Sequence, residues 1–406
     1  MMIRVAHVST YVPKKCGLAT YTHHLRQGLR EAAGGGQLTD IVIAMLGPDE
    51  RQDAYVGADW FLRRDEPGDY EAVARRLNQS DIDLVALQHE FGIFGGEAGE
   101  YVLRFAEALQ KPLVTTFHTV FETPVHPYRD IQKKLVERSD HIIVMSPRAI
   151  SYLVNAYGVA ASKITYLPHG TPGASARTNA QLRRSLGWEG RKVLLTFGLL
   201  SPGKGLELVL EALQHIAAEV PNVLYVIAGQ THPEILKRDG EHYREALQRM
   251  IEDRRIGEHV SMMNRYLSEA DIVSLISACD VFVTPYPGMQ QITSGTLAYA
   301  VGAGSVVAST PYAYARDLLK DFPDLLIPYG DVEAWSRTLT KLLQDDALLG
   351  RYQRQIAQIG QHMRWPNVAR KHLELYRTLT ARGTRRGVTG EAVSEGRERT
   401  VVSSSV

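Results

Sequence analysis

Several short stretches combine residue types that could hold an anionic or polyhydroxylated ligand. Thr293-Ser294-Gly295-Thr296 ends a polar loop between an apolar run at 281–285 and a helical pattern at 296–301. Ser or Thr at a helix N-cap leaves backbone N–H groups free, and Gly295 allows a ligand close to the backbone. Such a helix start carries about half a positive charge, which suits a phosphate or diphosphate. Lys204 sits in the glycine-rich turn Gly198-Leu-Leu-Ser-Pro-Gly-Lys-Gly205, where a compact cation could neutralise that diphosphate. Each has an ordinary counterpart, a capped helix and a solvated turn lysine. Context has to decide between them.

Histidines recur at the ends of apolar runs. His118 closes Thr116-Phe-His118, His89 and Glu90 follow the run at 84–88, and His169 precedes a glycine at the end of the run from 164. Polar residues at strand ends of a parallel sheet border its ligand crevice. There a histidine can bond a sugar hydroxyl, and a histidine–carboxylate pair can orient an acceptor hydroxyl. A satisfied core histidine and a surface His–Glu pair are the alternatives. Gly17, in the first strand-to-helix loop, is placed where a glycine admits a phosphate.

Other chemistries find little support. No His-x3-His spacing falls on a plausible helix, and the adjacent His23 and His24 project about 100° apart, so no metal is expected. Gly-x-Ser-x-Gly is absent, and so is the full Gly-x-Gly-x-x-Gly fingerprint, which counts against a hydrolase elbow and against NAD or FAD. A formal net charge of +1 in 406 residues argues against nucleic acid as partner. Cys16 and Cys279 cannot form a disulfide framework, so a reducing, cytoplasmic setting is expected. No apolar run approaches the roughly 20 residues that span a bilayer. The basic residues Lys133-Lys134 and 382–386 leave room only for weak peripheral membrane contact.

The elements that must position these residues alternate regularly. Apolar runs at 3–9, 41–46, 84–89, 113–118 and 142–146 read as strands separated by helical segments, such as 99–109 and 131–138. A run from 164 leads into a linker at 171–176. The alternation then restarts with strands at 193–198, 223–228, 260–264, 281–285, 306–309 and 325–328, and a helix at 206–220. Helices at 334–343, 348–363 and 368–379 follow, and 383–406 reads as a disordered tail. Two α/β doubly wound parallel sheets across a cleft are the expected fold: 1–172 with the terminal helix 365–382, and 190–364.

Taken together, these residues resemble the GT-B glycosyltransferases of family 4, retaining enzymes that use nucleotide sugars. The resemblance covers about 3–382 and is most specific in the second half. Thr196-Phe-Gly-Leu-Leu-Ser-Pro-Gly-Lys-Gly-Leu-Glu207, Cys279-Asp-Val-Phe-Val-Thr-Pro-Tyr286 and Leu297-Ala-Tyr-Ala-Val-Gly-Ala-Gly-Ser-Val-Val-Ala-Ser309 look like family landmarks. In the first half, Cys16-Gly17 and Thr116-Phe-His118 do. The resemblance implies two Rossmann-like domains and a donor site at Gly17, Gly198, Lys204, Gln290, Thr293, Ser294, Gly295 and Thr296. His118 would touch the transferred sugar; acceptor contacts would come from His89, Glu90 and His169. No cofactor or metal is implied, and the acceptor would be a carbohydrate or lipid-linked hydroxyl. The departures are local. The family's Glu-x7-Glu falls on Gln290 and Ala298, and Gly198 or Leu199 stands where it usually has an arginine. A phosphorylase on the same fold and a non-catalytic sugar or nucleotide sensor are the alternatives.

Overall fold

The computed structural model describes residues 2–394, the last thirteen of them by backbone alone. Two parallel sheets carry the architecture. The first contains β1 (Ile3–Ser9), β2 (Leu38–Leu46), β3 (Trp60–Arg63), β4 (Leu84–His89), β5 (Leu113–Phe117), β6 (His141–Val144) and β7 (Ile164–Tyr166), in the order β3-β2-β1-β4-β5-β6-β7. The second contains β8 (Lys192–Phe197), β9 (Val223–Ala228), β10 (Val260–Met263), β11 (Val281–Thr284) and β12 (Val306–Ser309), in the order β10-β9-β8-β11-β12. Strands such as β4 and β9 are buried along their whole length, because helices cover both faces. That burial is why they read as continuous apolar runs.

The strand order reverses direction between β1 and β4 in the first sheet and between β8 and β11 in the second. At such switch points the outgoing connections lead to opposite faces and leave a crevice at the carboxyl ends of the strands. The loops after β1, β4, β8 and β11 hold most of the chemically interesting residues. Topology alone thus puts them on facing edges.

Some elements differ from expectation. β3 was not foreseen; it is four residues long and pairs only with β2. The stretch 325–328 is not a strand of the second sheet. Pro323 opens a 3-10 turn, Pro323–Leu325, and only an isolated bridge from Leu326 reaches Ser309. A proline on either side, Pro323 and Pro328, leaves too little chain for a ladder. The terminal helix, Trp365–Ser394, extends into the segment expected to be disordered; the rest of that segment, 395–406, lies outside the described residues.

The chain passes between the two sheets twice, and the crossings touch. Thr171 pairs with Arg364, its N–H donating to the Met363 carbonyl at 2.8 Å while Trp365 N–H donates to the Thr171 carbonyl at 3.0 Å. The helix from Trp365 then packs on Gly17–Ala33, where Gly28 lies so close that a Cβ would stand 2.8 Å from that of Ala369. Trp365, Val368 and Tyr376 share a core with Tyr21, Leu25 and Leu29. Arg148 of the first half also grips Asp317 of the second with two bonds of 2.9 and 3.1 Å.

Gly170 is a tight point of this crossing: a Cβ there would lie 2.2 Å from the Trp365 ring. Gly170→Ala should therefore destabilise the protein by about 1–3 kcal/mol, the usual cost of overpacking. Gly173→Ala, with nothing within 4 Å of the new methyl, should leave stability within about 0.5 kcal/mol. Thermal melts of the two variants beside the parent check this; equal midpoints would remove the crossing from the account of stability.

Candidate active site

A cleft of about 570 Å³ lies between the two sheets and is lined from both. On the second-sheet side its floor is made where the loops after β8, β9 and β11 meet. Gly198 has φ +130°, and a Cβ on Gly229 would stand 1.9 Å from the Gly198 carbonyl. A Cβ on Gly205 would similarly stand 2.2 Å from the Pro285 carbonyl. Only glycine allows these backbones to approach so closely. The result is a short turn, Pro202–Lys204, that delivers the Lys204 ammonium into the cleft.

Lys204 does not dangle there. Its Nζ donates to the Tyr286 hydroxyl at 2.9 Å and sits 4.3 Å from the ring centroid. Tyr286 is buried, stacks on Tyr312 at 5.5 Å, and its hydroxyl lies 2.8 Å from Thr296 Oγ1. Thr296 Oγ1 is in turn 3.2 Å from Ser294 Oγ. Ser294 caps the helix Gly295–Gly302 by accepting from Leu297 N–H at 3.3 Å. The first-turn N–H groups of Gly295 and Thr296 have no partner within the helix, and both residues line the cleft. An ammonium and a helix start are thus tied through one phenol, an arrangement with the charge to suit a diphosphate-sized anion.

The first-sheet wall carries histidines. His118 continues the β4–β5 ladder, its N–H donating to the His89 carbonyl at 2.9 Å. Its Nε2 is 2.9 Å from Gln88 Oε1, and its ring meets Tyr21 edge-on at 4.9 Å. With that oxygen accepting, Nε2 carries the proton and Nδ1 keeps a lone pair. Burial drives the His118 pKa down to about 3, helped by His169 and His89, so the ring is neutral. His169 donates from Nδ1 to the Gly170 carbonyl at 2.7 Å, which leaves Nε2 as an acceptor near Gly295. Burial lowers its pKa to about 4. Glu90 accepts from Thr119 Oγ1 at 2.6 Å and from Phe91 N–H at 3.0 Å, and desolvation raises its pKa. Glu90, Thr119 and Gly17 all line the cleft.

The structure thus brings together Gly17, Glu90, His118, His169, Gly198, Lys204, Thr293, Ser294, Gly295 and Thr296. It does not bring His89 or Gln290. His89 is fully buried among Phe91, Phe94 and Phe117, with both ring nitrogens unpartnered and its pKa lowered to about 3 by burial. Side chains alternate along a strand, so Gln88 turns to His118 and His89 turns to the other face. Gln290 is exposed outside the cleft, whereas its neighbour Gln291 lines it. Ala298, fully buried, packs in the second-sheet core.

Tyr286 ends a stretch that resembles a family landmark without a role of its own, and Gln88, Tyr21, Thr119 and His232 carry no motif that singles them out in the sequence. Gln88, Thr119, His232 and Tyr286 lie at or just past strand ends, which is the one signal they give, and Tyr21 lies within the helix Gly17–Ala33. Lys133 and Lys134 are exposed on the helix Tyr128–Arg138; the side chains of 382–386 lie outside the described residues. Among the described residues, no helix is long and apolar enough to cross a membrane, and no group of His, Cys, Asp and Glu could hold a metal ion.

Comparison with known proteins agrees with this geometry. Residues 178–363 match the family "Glycosyl transferases group 1", and residues 16–172 match "Glycosyltransferase Family 4". The chain is 26% identical over 336 residues to a phosphatidyl-myo-inositol mannosyltransferase of Mycolicibacterium smegmatis, covering 80% of this chain and 79% of the relative. It is 25% identical over 408 residues to a D-inositol 3-phosphate glycosyltransferase of Corynebacterium efficiens, covering 89% of each. Among solved structures, Anabaena HepE in complex with UDP and glucose superposes with a TM-score of 0.71 at 15% identity, over 93% of this chain and 100% of that one. Sucrose-phosphate synthase from Thermosynechococcus elongatus gives 0.70 at 17% identity, over 93% and 99%. These two show the fold. With two facing parallel sheets and both halves matched, the chain belongs to the GT-B glycosyltransferases of family 4.

Proposed function

We propose that the protein is a retaining glycosyltransferase that moves a sugar from a nucleoside-diphosphate sugar to the hydroxyl of a carbohydrate or lipid-linked acceptor. The observation that carries this reading is the meeting, in one cleft, of the Lys204–Tyr286–Thr296 cluster with His118 and His169. One wall is suited to a diphosphate and the other to sugar hydroxyls. The UDP and glucose named with Anabaena HepE, and the inositol compounds named with the two curated relatives, support the same assignment of substrates.

In this reading the bond between the anomeric carbon and the diphosphate oxygen breaks while the acceptor oxygen bonds to that carbon on the same face. The acceptor proton passes to the departing diphosphate. Lys204 and the N–H groups at Gly295 and Thr296 stabilise the charge that grows on the diphosphate, and being fixed beforehand they need no reorganisation. His118 and His169, both neutral, offer lone pairs to sugar hydroxyls. Glu90 faces the acceptor. A hinge at the Thr171–Arg364 crossing would let the walls close and exclude water. No side chain is assigned as a covalent nucleophile.

A thermal-shift panel of nucleoside diphosphates and their sugars, followed by a transfer assay with whichever stabilises the protein, tests the proposal. No stabilisation by any of them, with phosphate-dependent breakdown of a disaccharide instead, would sink it. Lys204→Ala should lower kcat by about 10²–10³-fold, as loss of one preorganised charge contact does. Tyr286→Phe keeps the ring on Tyr312 and loses only the hydroxyl, so about a tenfold drop is expected, near the value of one hydrogen bond to a charged group. If both variants transferred sugar at the parental rate, the diphosphate would have to bind elsewhere.

A further inference from the structure

Beside Lys204, the loop after β9 presents a second nitrogen that no part of the account above uses. His232 lines the cleft with Gly198, Ser201, Lys204 and Gln230. Its backbone is fixed to the lysine loop: Leu200 N–H donates to the Gln230 carbonyl, His232 N–H donates to the Leu200 carbonyl, both at 2.9 Å, and Leu200 bridges Thr231. The β8–β9 pairing is thereby carried past the ends of both strands, and His232 cannot drift away from Lys204.

The ring is oriented as well. His232 caps the helix Pro233–Asp239 through Nδ1, which accepts from Glu234 N–H at 3.2 Å. An accepting Nδ1 puts the proton of the neutral ring on Nε2, the nitrogen on the far side from the cap. Among the described residues no hydrogen bond is made by Nε2, and the residue is only half-buried in a wall of the cleft. We propose that His232 is a further donor-binding residue, whose Nε2–H bonds the diphosphate of the nucleotide sugar beside Lys204. This inference rests on the donor reading above and names one more group that serves it.

The charges around the ring give the proposal a signature. Burial lowers the His232 pKa, Glu234 raises it, and Lys204 lowers it. Of the other charged groups at this end, Arg265 is paired with Asp271 at 2.9 and 3.0 Å, Lys15 lies over the Tyr266 ring at 5.2 Å, and Arg64 is paired with Asp65 while lying within electrostatic reach of Glu234. With the cleft empty, then, the lysine opposes protonation of the histidine. A bound diphosphate places negative charge beside both, raises the histidine pKa, and is itself bound more tightly by the protonated ring. Affinity should therefore rise as pH falls, about tenfold for each unit by which the ligand raises the pKa. Nucleotide sugars are the right probes, since both phosphates are esterified and keep constant charge where histidine titrates.

The experiment is titration calorimetry of the full chain with UDP-glucose, GDP-mannose and ADP-glucose, from about pH 8 to about pH 5.5. The expected result is tighter binding at the acid end, with proton uptake visible as a dependence of the heat on the buffer. His232→Asn keeps an acceptor for the Glu234 N–H and removes the outward donor; it should bind about tenfold more weakly at pH near 8 and show no pH dependence. His232→Gln places a neutral N–H near Nε2; it should approach parental affinity at that pH and also be flat. Parental affinity in the Asn variant, or an unchanged pH slope in both variants, would overturn the inference and leave the donor reading standing. Failure of all three nucleotide sugars to bind the parent protein would overturn both.

Discussion

The Lys204 ammonium meets the Tyr286 hydroxyl at 2.9 Å above a phenol ring that is itself stacked on Tyr312. A lysine side chain has about 2 kcal/mol of rotamer freedom to lose, and in an open turn nothing would take it away. Here the glycines at 198, 205 and 229 let three loops close to backbone contact, and the tyrosine then restrains the cation. Because the same hydroxyl reaches Thr296, the positions of the ammonium and the helix start are set by one group. That coupling fixes the donors of the second-sheet wall relative to one another.

The opposite wall follows a different logic. Its histidines are desolvated to the point of neutrality, and each is fixed through one ring nitrogen, His169 by the Gly170 carbonyl and His118 by Gln88. Tyr21 packs edge-on against both rings and against Trp365, so the helix that returns from the second sheet also supports the histidine wall. The crossing at Thr171 and Arg364 therefore has two effects: it joins the halves, and it holds the first-sheet wall in register with the second.

The second-sheet wall is cationic and hydrogen-bond-donating at Lys204 and the helix start, whereas the first-sheet wall sets two neutral histidines beside Lys15 and Glu90. Glu90, half-buried beside these histidines, is held by Thr119 and Phe91 and has its pKa raised by desolvation, which tempers its charge.

The sequence by itself determined the two parallel sheets, since fully buried strands must be apolar along their length and the helices between them show a 3.6-residue period. It also located Lys204, the Ser294 cap and His118, because glycine-rich turns, N-cap residues and strand-end polar residues are local signals. What it could not decide depends on contacts between distant segments. The strand assigned at 325–328 lacked a partner with room to form a ladder. His89 and Gln88 are adjacent, and only the pleat of β4 against β5 decides which of them meets His118. Tyr286 and His232 lie in loops some 80 and 30 residues removed from Lys204 in sequence, brought beside it because β11 and β9 flank β8 in the sheet. Local preference fixes what a segment becomes; which side chains share a cleft is fixed by the packing of the sheets and by the glycines that let their loops touch.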